Sequence, residues 1–536
     1  MTKESFLRGA VILAAASMVS RVIGLAYMVV LPRIIYADGM GLYQLVKPIH
    51  YFAAVLAIAG MPVAIAKMIA EEVARQSAAG VNKIFRWGFG LMAASGGAVA
   101  LALIIGAPLL ARLFAQGMGV QQTIAILGFS CFLLALGAAL RGFFQGLQFM
   151  LPTAIAQVAA QILRVLSTVA FCLWLRPRGV EQAVTGIAWG FVVGESTSWL
   201  VMLAFYVSYK RELLMELPAQ PPAEPKQRMQ HKAGVIVTRL LRLSVPAVVV
   251  TVLWPVMQLA DSLLIPQRMQ VAGFSTEAIR EGLGHLGMAL TLAHFPNIVT
   301  VALATSLVPA ISEAWALKNR RLVKYRTEEA LRMALIFGIP SFAALFVLGE
   351  PLGAVLFGYA AVGAPLKILA FGTITLGLIQ SCTAVLQGMG DMFIPVRNLF
   401  FGVAVKFALN YILLADPALG ILGAAFSTAA AWAVVALLDT WAVYRRVGSV
   451  LPFKRGVLYP LIAAAAASFS IYFLRDTLVY FIADAAATLI SLTAGFLLYF
   501  LLLVMWGSLE GRDLHLVPVV GRRLEQFLQA WGFLRS

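Results

Sequence analysis

The chain has 536 residues, of which 61% are hydrophobic and only 12% are charged, with a mean hydropathy of +0.89. Because a soluble chain carries roughly a quarter charged residues, this composition excludes a soluble protein and predicts an integral membrane protein. The formal net charge of +17 does not indicate a nucleic-acid partner, since Lys and Arg lie mostly in short gaps between apolar runs. Cys131, Cys172 and Cys382 lie inside apolar runs without metal-ligand spacing. No metal or cofactor is therefore expected.

The first apolar run follows Lys3 and Arg8 and continues to about Leu31. A run of this length crosses a bilayer core of ~30 Å at 1.5 Å per residue, whereas the apolar region of a signal peptide is shorter. We therefore predict a retained first span.

Apolar windows of this kind recur along the chain and predict an all-α polytopic membrane protein with about fourteen transmembrane helices. The predicted spans are 7–31, 44–69, 84–113, 121–147, 152–175, 182–208, 239–266, 283–315, 328–357, 362–390, 394–414, 418–447, 455–476 and 480–506. The stretch at 210–232 is rich in proline and charge, as a linker would be. We expect an N-terminal six-helix half at 1–208, a cytoplasmic linker at 209–238, a C-terminal six-helix half at 239–447, two additional transmembrane helices at 448–506 and a cytoplasmic amphipathic tail at 507–536.

Basic residues distinguish the two sides of the membrane. The connectors after spans 2, 6, 8 and 12 are rich in Lys and Arg, whereas the opposite connectors hold few, such as Arg176 and Arg178. Because Lys and Arg concentrate on the cytoplasmic side, both termini are predicted in the cytoplasm and the protein in the plasma membrane. Apolar residues at helical spacing from Val520 to Leu534 favour a tail helix on the inner leaflet, with an ordinary solvated helix as the alternative.

Short motifs recur in the same order in the two predicted halves. The stretch RGFFQGLQFMLP at 141–152 matches TAVLQGMGDMFIP at 383–395, and APLLARLF at 107–114 matches EPLGAVLF at 350–357. Six spans per half, an even number, give the halves the same orientation, so a pseudo-twofold axis along the membrane normal is predicted. Such an arrangement leaves a central cleft between two bundles, as alternating access requires.

The repeated Gln-Gly pair is interpreted as a tight cytoplasmic turn between the fourth and fifth span of each half. Glycine permits the turn, and Pro152 and Pro395 begin the next helix where no amide donor is needed. Gln145 and Gln387 are interpreted as turn caps rather than ligands.

Several motifs together resemble a known superfamily. They are SRVIGL in span 1, GMGLYQL before span 2, MPVAIAKMIAEE ending span 2, RGFFQGLQ closing span 4, and LNYILL with GILGAAFSTAAAW in spans 11 and 12. Over the whole chain they resemble the polysaccharide-biosynthesis branch of the multidrug/oligosaccharidyl-lipid/polysaccharide (MOP) exporter superfamily, with the stage V sporulation protein B type and the Gram-positive lipid II flippases as the nearest groups. The resemblance implies transport of an undecaprenyl-pyrophosphate-linked saccharide from the inner to the outer leaflet.

Charged groups inside spans are costly in lipid and so indicate function. Arg21 lies in the Ser-Arg motif of span 1, which in related flippases helps line a cationic cavity. Arg33, Lys47 and His50 add positive character where spans 1 and 2 meet. These four residues are predicted to bind substrate, and pairing of Arg21 with a backbone carbonyl or with Asp261 is the alternative.

Further substrate-binding and coupling candidates lie in the later spans. Asp261, between two helix-breaking prolines of span 7, is predicted to neutralise Arg21 or to hold a coupling cation, and His294 is a titratable substrate-binding candidate. Lys406 in span 11 has Asp439 in span 12 as its nearest candidate partner. The resemblance implies a sodium site near Asn410, but Lys406 one turn away argues against it because a lysine can replace the ion. Arg164 and Glu195 are predicted to form a structural ion pair.

Two other functions are weighed against a flippase. An exporter of drugs or organic cations with the same fold would favour an acidic, aromatic cleft, and a membrane glycosyltransferase or polymerase would need carboxylates in a substantial outer loop. The longest outer loop offers only Glu277 and Glu281, and no HExxH or P-loop motif occurs, so no enzyme is expected. The expected partners are the lipid-linked saccharide, membrane lipids and cell-wall synthesis enzymes. The saccharide, the coupling ion and a vegetative or sporulation role stay open.

Overall fold

The computed structural model describes residues 6–116, 118–215, 233–448 and 453–509, and every regular element in them is helical. Two compact units are formed by residues 1–284 and 285–536. The first unit contains α1 (Phe6–Ile58), α2 (Met61–Ala74), α3 (Ala78–Ala115), α4 (Gln121–Gly146), α5 (Leu151–Leu175), α6 (Val180–Met215), α7 (Ala233–Val271) and the first part of α8 (Thr276–His294). The six-helix halves expected at 1–208 and 239–447 stay a prediction, and most of the expected linker and tail lies outside the described residues.

The second unit continues with the rest of α8 and a further series of helices. These are α9 (Asn297–Ala316), α10 (Arg320–Val347), α11 (Gly349–Leu352), α12 (Gly363–Ala370), α13 (Gly372–Gly388), α14 (Phe393–Leu413), α15 (Ile421–Val447), α16 (Tyr459–Leu478) and α17 (Asp484–Met505). Short π-helical segments occur at Gly353–Phe357 and Phe453–Leu458, and 3₁₀ turns occur at Arg176–Arg178 and Ala360–Val362.

The predicted fold class is confirmed, but the predicted number of spans is not. Among the described residues, 11 helices are long and apolar enough to cross a membrane, or up to 12 if the bent pair α12 and α13 forms one span. One reason is that predicted spans 1 and 2 are not separated by a loop. They belong to one apolar segment, Val11–Ala74, because the residues between them are also helical.

The break between those two predicted spans is a single residue. Tyr36 has φ 61° and ψ −178°, inside an otherwise helical α1. This conformation is nearly confined to glycine and costs on the order of 1–3 kcal/mol, so the surrounding packing must hold it. The guanidinium of Arg176 lies 4.5 Å from the centroid of the Tyr36 ring. That contact contributes to holding the bend.

Close helix packing in the first unit depends on three glycines of α6, spaced four residues apart. A Cβ on Gly186 would lie 2.7 Å from the amide nitrogen of Cys172, and one on Gly194 would lie 2.8 Å from Nε of Arg164. Gly190 likewise faces Thr168. Small residues at this spacing allow two membrane helices to approach closely, so α5 and α6 form a tightly packed pair.

The repeated Gln-Gly pair has a different role from the predicted one. Gly146 and Gly388 are the last residues of α4 and α13, and the left-handed residues that follow them are Gln148 and Gly390. A Cβ on Gly146 would lie 2.7 Å from Cβ of Ile69, and a Cβ on Gly388 would lie 2.7 Å from Cβ of Ile311. A turn does begin at each Gln-Gly pair, where the carbonyls of Gln145 and Gln387 accept from the amides of Gln148 and Gly390. The glycines are helical, however, so they allow close helix packing and do not supply the left-handed residue of the turn.

The two glycine contacts also bear on the internal repeat. Gly388 lies 242 positions after Gly146, and Ile311 lies 242 positions after Ile69. The carbonyl oxygen of Ala66 would lie 2.8 Å from a Cβ on Gly146, and that of Val308, 242 positions later, would lie 2.9 Å from a Cβ on Gly388. The same helix contact therefore occurs in each unit, which supports the repeat read from the sequence.

The last two helices pack on α10 in the second unit. Tyr499 donates a hydrogen bond from its hydroxyl to the carbonyl of Ile336 at 2.9 Å, and Nη1 of buried Arg332 donates to the carbonyl of Ser508 at 2.8 Å. The small face of α16 lies in the same core, with Ala463, Ala464 and Ala467 buried against α10 residues including Ile339 and Ala343. This face of α16 is therefore used for packing.

Candidate functional site

The residues predicted to form a cationic corner lie on α1. Arg21 is exposed and lies about 15 Å along the helix from Val11, where the apolar segment Val11–Ala74 begins. Arg33 is also exposed, and Lys47 is half-buried with its ammonium 5.9 Å from the centroid of the Tyr51 ring. A guanidinium within a membrane-spanning segment is costly against lipid, so the surface around Arg21 is expected to face a wet cavity or a ligand.

A polar seam runs along the contact between α1 and α5, beside Arg21. Nε2 of Gln157 donates to the hydroxyl oxygen of Ser17 at 3.3 Å. Two turns later, a Cβ on Gly24 would lie 3.3 Å from Nε2 of Gln161. Arg21 is placed between Ser17 and Gly24, four residues after one and three before the other, and so borders this seam.

The seam also contains buried polar atoms without a hydrogen-bond partner in the described part of the chain. These include Oγ of Ser20 on α1 and Nε of Arg164 on α5. Buried polar atoms are normally satisfied by protein or by ordered water. Bound water or a polar ligand group would therefore stabilise this contact between α1 and α5.

His50 lies in an enclosed position on α1. It is 6% exposed, its Nε2 is 3.1 Å from Oγ of Ser130, and its ring meets Phe191 edge-on with centroids 4.8 Å apart. The Ser130 hydroxyl donates its hydrogen to the carbonyl of Leu127 at 2.7 Å. Its oxygen is therefore left to accept from His50, which places the imidazole hydrogen on Nε2. These contacts position His50 as a packed group, and its substrate role stays a prediction.

Arg164 and Glu195 are brought together by α5 and α6. Nη2 of Arg164 lies 2.7 Å from Oε1 of Glu195, and the guanidinium lies 4.9 Å from the centroid of the Phe191 ring. The two side chains are 26% and 10% exposed. The pair is therefore mostly withdrawn from solvent, in contact with the same aromatic ring as His50.

Arg141 on α4 was not singled out from the sequence. Its side chain is half-buried, and it lies close enough to both Arg164 and Glu195 to interact electrostatically with them. The first unit thus holds two arginines near one carboxylate, which gives this interior cluster an excess of positive charge. The available signal was an arginine at the end of an apolar helix, in the motif RGFFQGLQ.

Asp261 is half-buried on α7, next to Ser262, whose hydroxyl donates to the carbonyl of Gln44 at 3.5 Å. The prediction that prolines break the helix on both sides of Asp261 was wrong. Helix α7 runs from Ala233 to Val271 through Pro255 and Pro266. Membrane helices tolerate proline because neighbouring groups satisfy the carbonyls that it frees. The role of Asp261 stays a prediction.

A second polar cluster lies in the second unit, around Asp439 on α15. Nδ2 of Asn398 donates to Oδ1 of Asp439 at 2.8 Å, and the hydroxyl of Thr383 donates to Oδ2 at 3.4 Å. Nη2 of Arg397 donates in turn to Oδ1 of Asn398 at 3.2 Å. Because Asp439 is completely buried, these hydrogen bonds replace those that water would otherwise donate to its carboxylate.

The antiparallel register of α14 and α15 explains why Asp439 bonds Asn398 and is not next to Lys406. Asn398 lies opposite Asp439, Gly402 opposite Val435, and Asn410 opposite Ser427, whose hydroxyl donates to it. Lys406 is therefore about 12 Å along α14 from the level of Asp439, at 1.5 Å per residue. Lys406 is buried, and the structure does not bring it to the partner predicted from the sequence.

Lys406 has a counterpart in the first unit. It lies 242 positions after Arg164, and each of the two is a cation on the helix that follows the Gln-Gly pair. The predicted repeat thus places one cation at the same point of each half. His294, the remaining substrate-binding candidate, is half-buried at the end of α8 and meets the Trp432 ring edge-on at 5.3 Å.

The family comparison matches a protein-family model over residues 6–315, and that model describes a polysaccharide biosynthesis protein. The match spans more than half of the chain. The chain belongs to the polysaccharide biosynthesis protein family. This family membership confirms the resemblance inferred from the motifs.

Two curated relatives of the chain come from Bacillus subtilis (strain 168). Stage V sporulation protein B is 29% identical over 532 residues, covering 97% of this chain and 99% of the relative. Lipid II flippase MurJ is 24% identical over 424 residues, covering 76% of this chain and 77% of the relative. The chain is therefore related to a sporulation protein and to a lipid II flippase.

Solved structures show the same fold. An inward closed conformation of lipid II flippase MurJ aligns with a TM-score of 0.66 and 16% identity, covering 92% of this chain and 98% of that chain. An inward-facing multidrug resistance MATE family transporter of the MOP superfamily aligns with a TM-score of 0.64 and 15% identity, covering 82% and 98%. At such identities the likeness concerns the fold alone.

Proposed function

We propose that the protein is a flippase that moves an undecaprenyl-pyrophosphate-linked saccharide of the lipid II type from the inner to the outer leaflet by alternating access. The observation that carries this proposal is that Arg21 is exposed within the apolar segment Val11–Ala74. A pyrophosphate carries about two negative charges, and a cation in a site of low effective dielectric attracts it more strongly than in bulk water. Arg33 and Lys47 on the same helix extend this positive character.

The two curated relatives support the substrate class. One is named as a lipid II flippase, and the other is a sporulation protein that this chain matches over nearly its whole length. We extend this to a plasma-membrane protein with both termini in the cytoplasm, working beside cell-wall synthesis enzymes that make or consume the lipid-linked saccharide. Moving such a substrate breaks no covalent bond, so we propose a transporter without catalytic activity.

The coupling step is assigned to the second polar cluster and to Asp261. Asp439 is the strongest of the coupling candidates, because it is buried and its carboxylate accepts hydrogen bonds from two neutral groups, Asn398 and Thr383. Gain or loss of a proton or cation there would change the charge of a buried site and so the free energy of one conformation relative to another. Lys406 and Asn410 stay candidates for the same step.

An exporter of drugs or organic cations is the alternative, since a multidrug transporter has the same fold. An organic cation would be repelled by Arg21 and Arg33, which are exposed on α1. The charge of this surface therefore favours an anionic substrate.

The test is complementation of cells depleted of their own lipid II flippase. Charge-assisted contacts are worth roughly 1.5–3 kcal/mol, so Arg21→Ala should weaken substrate capture by about ten- to a hundredfold. Arg21→Lys should be intermediate because it keeps the charge but loses the planar fork. Arg112→Ala, which removes an exposed arginine at the end of α3, is the matched control and should complement normally.

A double variant separates substrate binding from simple charge balance. If Arg21 only neutralised Asp261, removing both charges in Arg21→Ala with Asp261→Ala would restore growth. A substrate-binding role predicts that the double variant stays inactive although it is normally expressed. Full complementation by Arg21→Ala alone would exclude the role proposed for this residue.

A further inference from the structure

A groove of about 620 Å³ opens at one end of α4, α5 and α6, on the side of the connector at 176–179. Helix α6 packs against both α4 and α5, whereas α4 and α5 hardly meet, so α6 forms the floor and the other two helices form the walls. Phe171, Trp174 and Trp189 line it, with Arg178, Gln122 and Gln182 among the polar groups. None of these residues belongs to the site proposed for the transported substrate.

The aromatic part of the groove faces the surroundings of the protein. Trp174 is 63% exposed and Trp189 is 42% exposed, and the centroid of the Phe171 ring lies 6.4 Å from that of Trp189. On α4, exposed Phe129 lies on the same helix face as Gln122 and Ala125 and continues that wall. In a membrane-spanning bundle such a surface contacts lipid, and tryptophan is enriched at the level of the headgroups. The groove is thus open to lipid chains.

The polar end of the groove carries a positive charge. The guanidinium of Arg178 lies 5.1 Å from the centroid of the Trp174 ring. The nearest acid in the sequence, Glu181, is already paired with Arg280 at 2.9 Å. Beside Arg178, Nε2 of Gln182 donates to Oε1 of Gln122 at 3.0 Å, which leaves the amide hydrogens of Gln122 available to an acceptor.

The length of the groove fits a lipid chain that begins at the headgroup level. Trp189 follows Gln182 by seven residues on α6, a distance of about 10 Å along the helix. This is about a third of a hydrocarbon core of ~30 Å. A headgroup at Arg178 would therefore place the upper part of its acyl chain against Trp189.

We propose that this groove binds one phospholipid with a net negative headgroup, its phosphate at Arg178 and one acyl chain along Trp189. Under the predicted topology the lipid belongs to the outer leaflet. The guanidinium and the Gln122 amide supply donors to the phosphate, and the three aromatic rings contact the chain. The lipid is a resident of the transporter surface, distinct from the transported substrate.

The test is quenching of tryptophan fluorescence by brominated lipids in vesicles of phosphatidylcholine that contain the purified protein. A single basic residue near a membrane surface should bind an anionic lipid about fivefold more tightly than a lipid without net charge. Dibrominated phosphatidylglycerol should therefore quench at about one-fifth of the mole fraction required for dibrominated phosphatidylcholine. The double variant Trp174→Phe with Trp189→Phe should remove this headgroup-dependent part of the quenching, because it leaves only the tryptophans outside the groove.

Matched variants test the contribution of Arg178. Arg178→Gln should abolish the preference for phosphatidylglycerol, whereas Arg176→Gln should keep it, because the Arg176 guanidinium lies over the Tyr36 ring instead. Ala125→Phe, which fills the groove without changing its charge, should also abolish the preference. Equal quenching by the two lipids in the unaltered protein, or a preference that survives Arg178→Gln, overturns the proposal. Because the readout is binding, it is independent of the transported substrate.

Discussion

Gly146→Ala and Gly388→Ala test whether the two units are built on the same close helix contact. In the first unit the added Cβ would lie 2.7 Å from Cβ of Ile69 and 2.8 Å from the carbonyl oxygen of Ala66. In the second unit the equivalent distances are 2.7 Å to Cβ of Ile311 and 2.9 Å to the carbonyl oxygen of Val308. Carbon atoms in contact are separated by about 3.5–4.0 Å, so the helices must move apart in both cases.

The size of the effect follows from two opposing terms. Overpacking of a close contact costs about 1–3 kcal/mol, whereas replacing a helical glycine by alanine returns about 0.5–1 kcal/mol. Each variant should therefore lose about 0–2.5 kcal/mol of unfolding free energy, with a central value of about 1 kcal/mol. Because 1 kcal/mol shifts the melting temperature of a unit of this size by about 2–4 °C, each should melt a few degrees lower in detergent.

Gly90→Ala is the matched control, since a Cβ at Gly90 in α3 would meet nothing within 4 Å. It should leave the melting temperature unchanged or raise it slightly, because only the helix-propensity term remains. The reasoning is refuted if Gly146→Ala and Gly388→Ala melt like Gly90→Ala. If only one of them lowers the melting temperature, the contact is not repeated in the two units.

Three further predictions concern the buried pair, the last helices and the topology. Glu195→Gln should cost about 2–3 kcal/mol of unfolding free energy, because it leaves the Arg164 guanidinium without its counter-charge; the cost is below that of a fully buried pair because Arg164 is partly exposed. In thermal unfolding, the double variant Glu195→Gln with Arg164→Gln should lose less stability than Glu195→Gln alone. Equal losses would contradict this cause. Tyr499→Phe should cost about 1 kcal/mol by removing the hydrogen bond to Ile336, and an unchanged melting temperature would contradict that contact. Ser275→Cys should react with a membrane-impermeant maleimide in intact cells while Gly448→Cys should not, and the reverse pattern would overturn the predicted orientation.

The fold class was predictable because hydropathy alone requires a helical membrane protein, but individual boundaries depend on tertiary contacts. The Asp38-Gly39 pair just after Tyr36 predicts an interruption between spans 1 and 2, but it does not predict that the interruption is confined to Tyr36 and that the helix continues on both sides. Gly146 was misread for a similar reason. Its neighbours in sequence suggest a turn, whereas its requirement for a small side chain comes from Ile69 on another helix.

The candidate site shows the same limit. Similar depth on consecutive helices was sufficient to predict the contact of Arg164 with Glu195. It was not sufficient for Lys406 and Asp439, because the antiparallel register of α14 and α15 places Asn398 opposite Asp439. Arg141 was missed because the motif that contains it was interpreted for its Gln-Gly pair. Its proximity to Glu195 depends on how α4 and α6 pack, which no local pattern contains.

The most direct test of the proposed function is transport by the purified protein in vesicles. A fluorescent undecaprenyl-pyrophosphate-linked disaccharide-pentapeptide is loaded in both leaflets, and the fraction accessible to an external reductant is measured with time. The account predicts that the unaltered protein makes the protected fraction accessible, that Arg21→Ala slows this by about tenfold or more, and that Arg112→Ala does not. Vesicles in which the protein transports an organic cation while the lipid-linked saccharide stays protected would contradict the account.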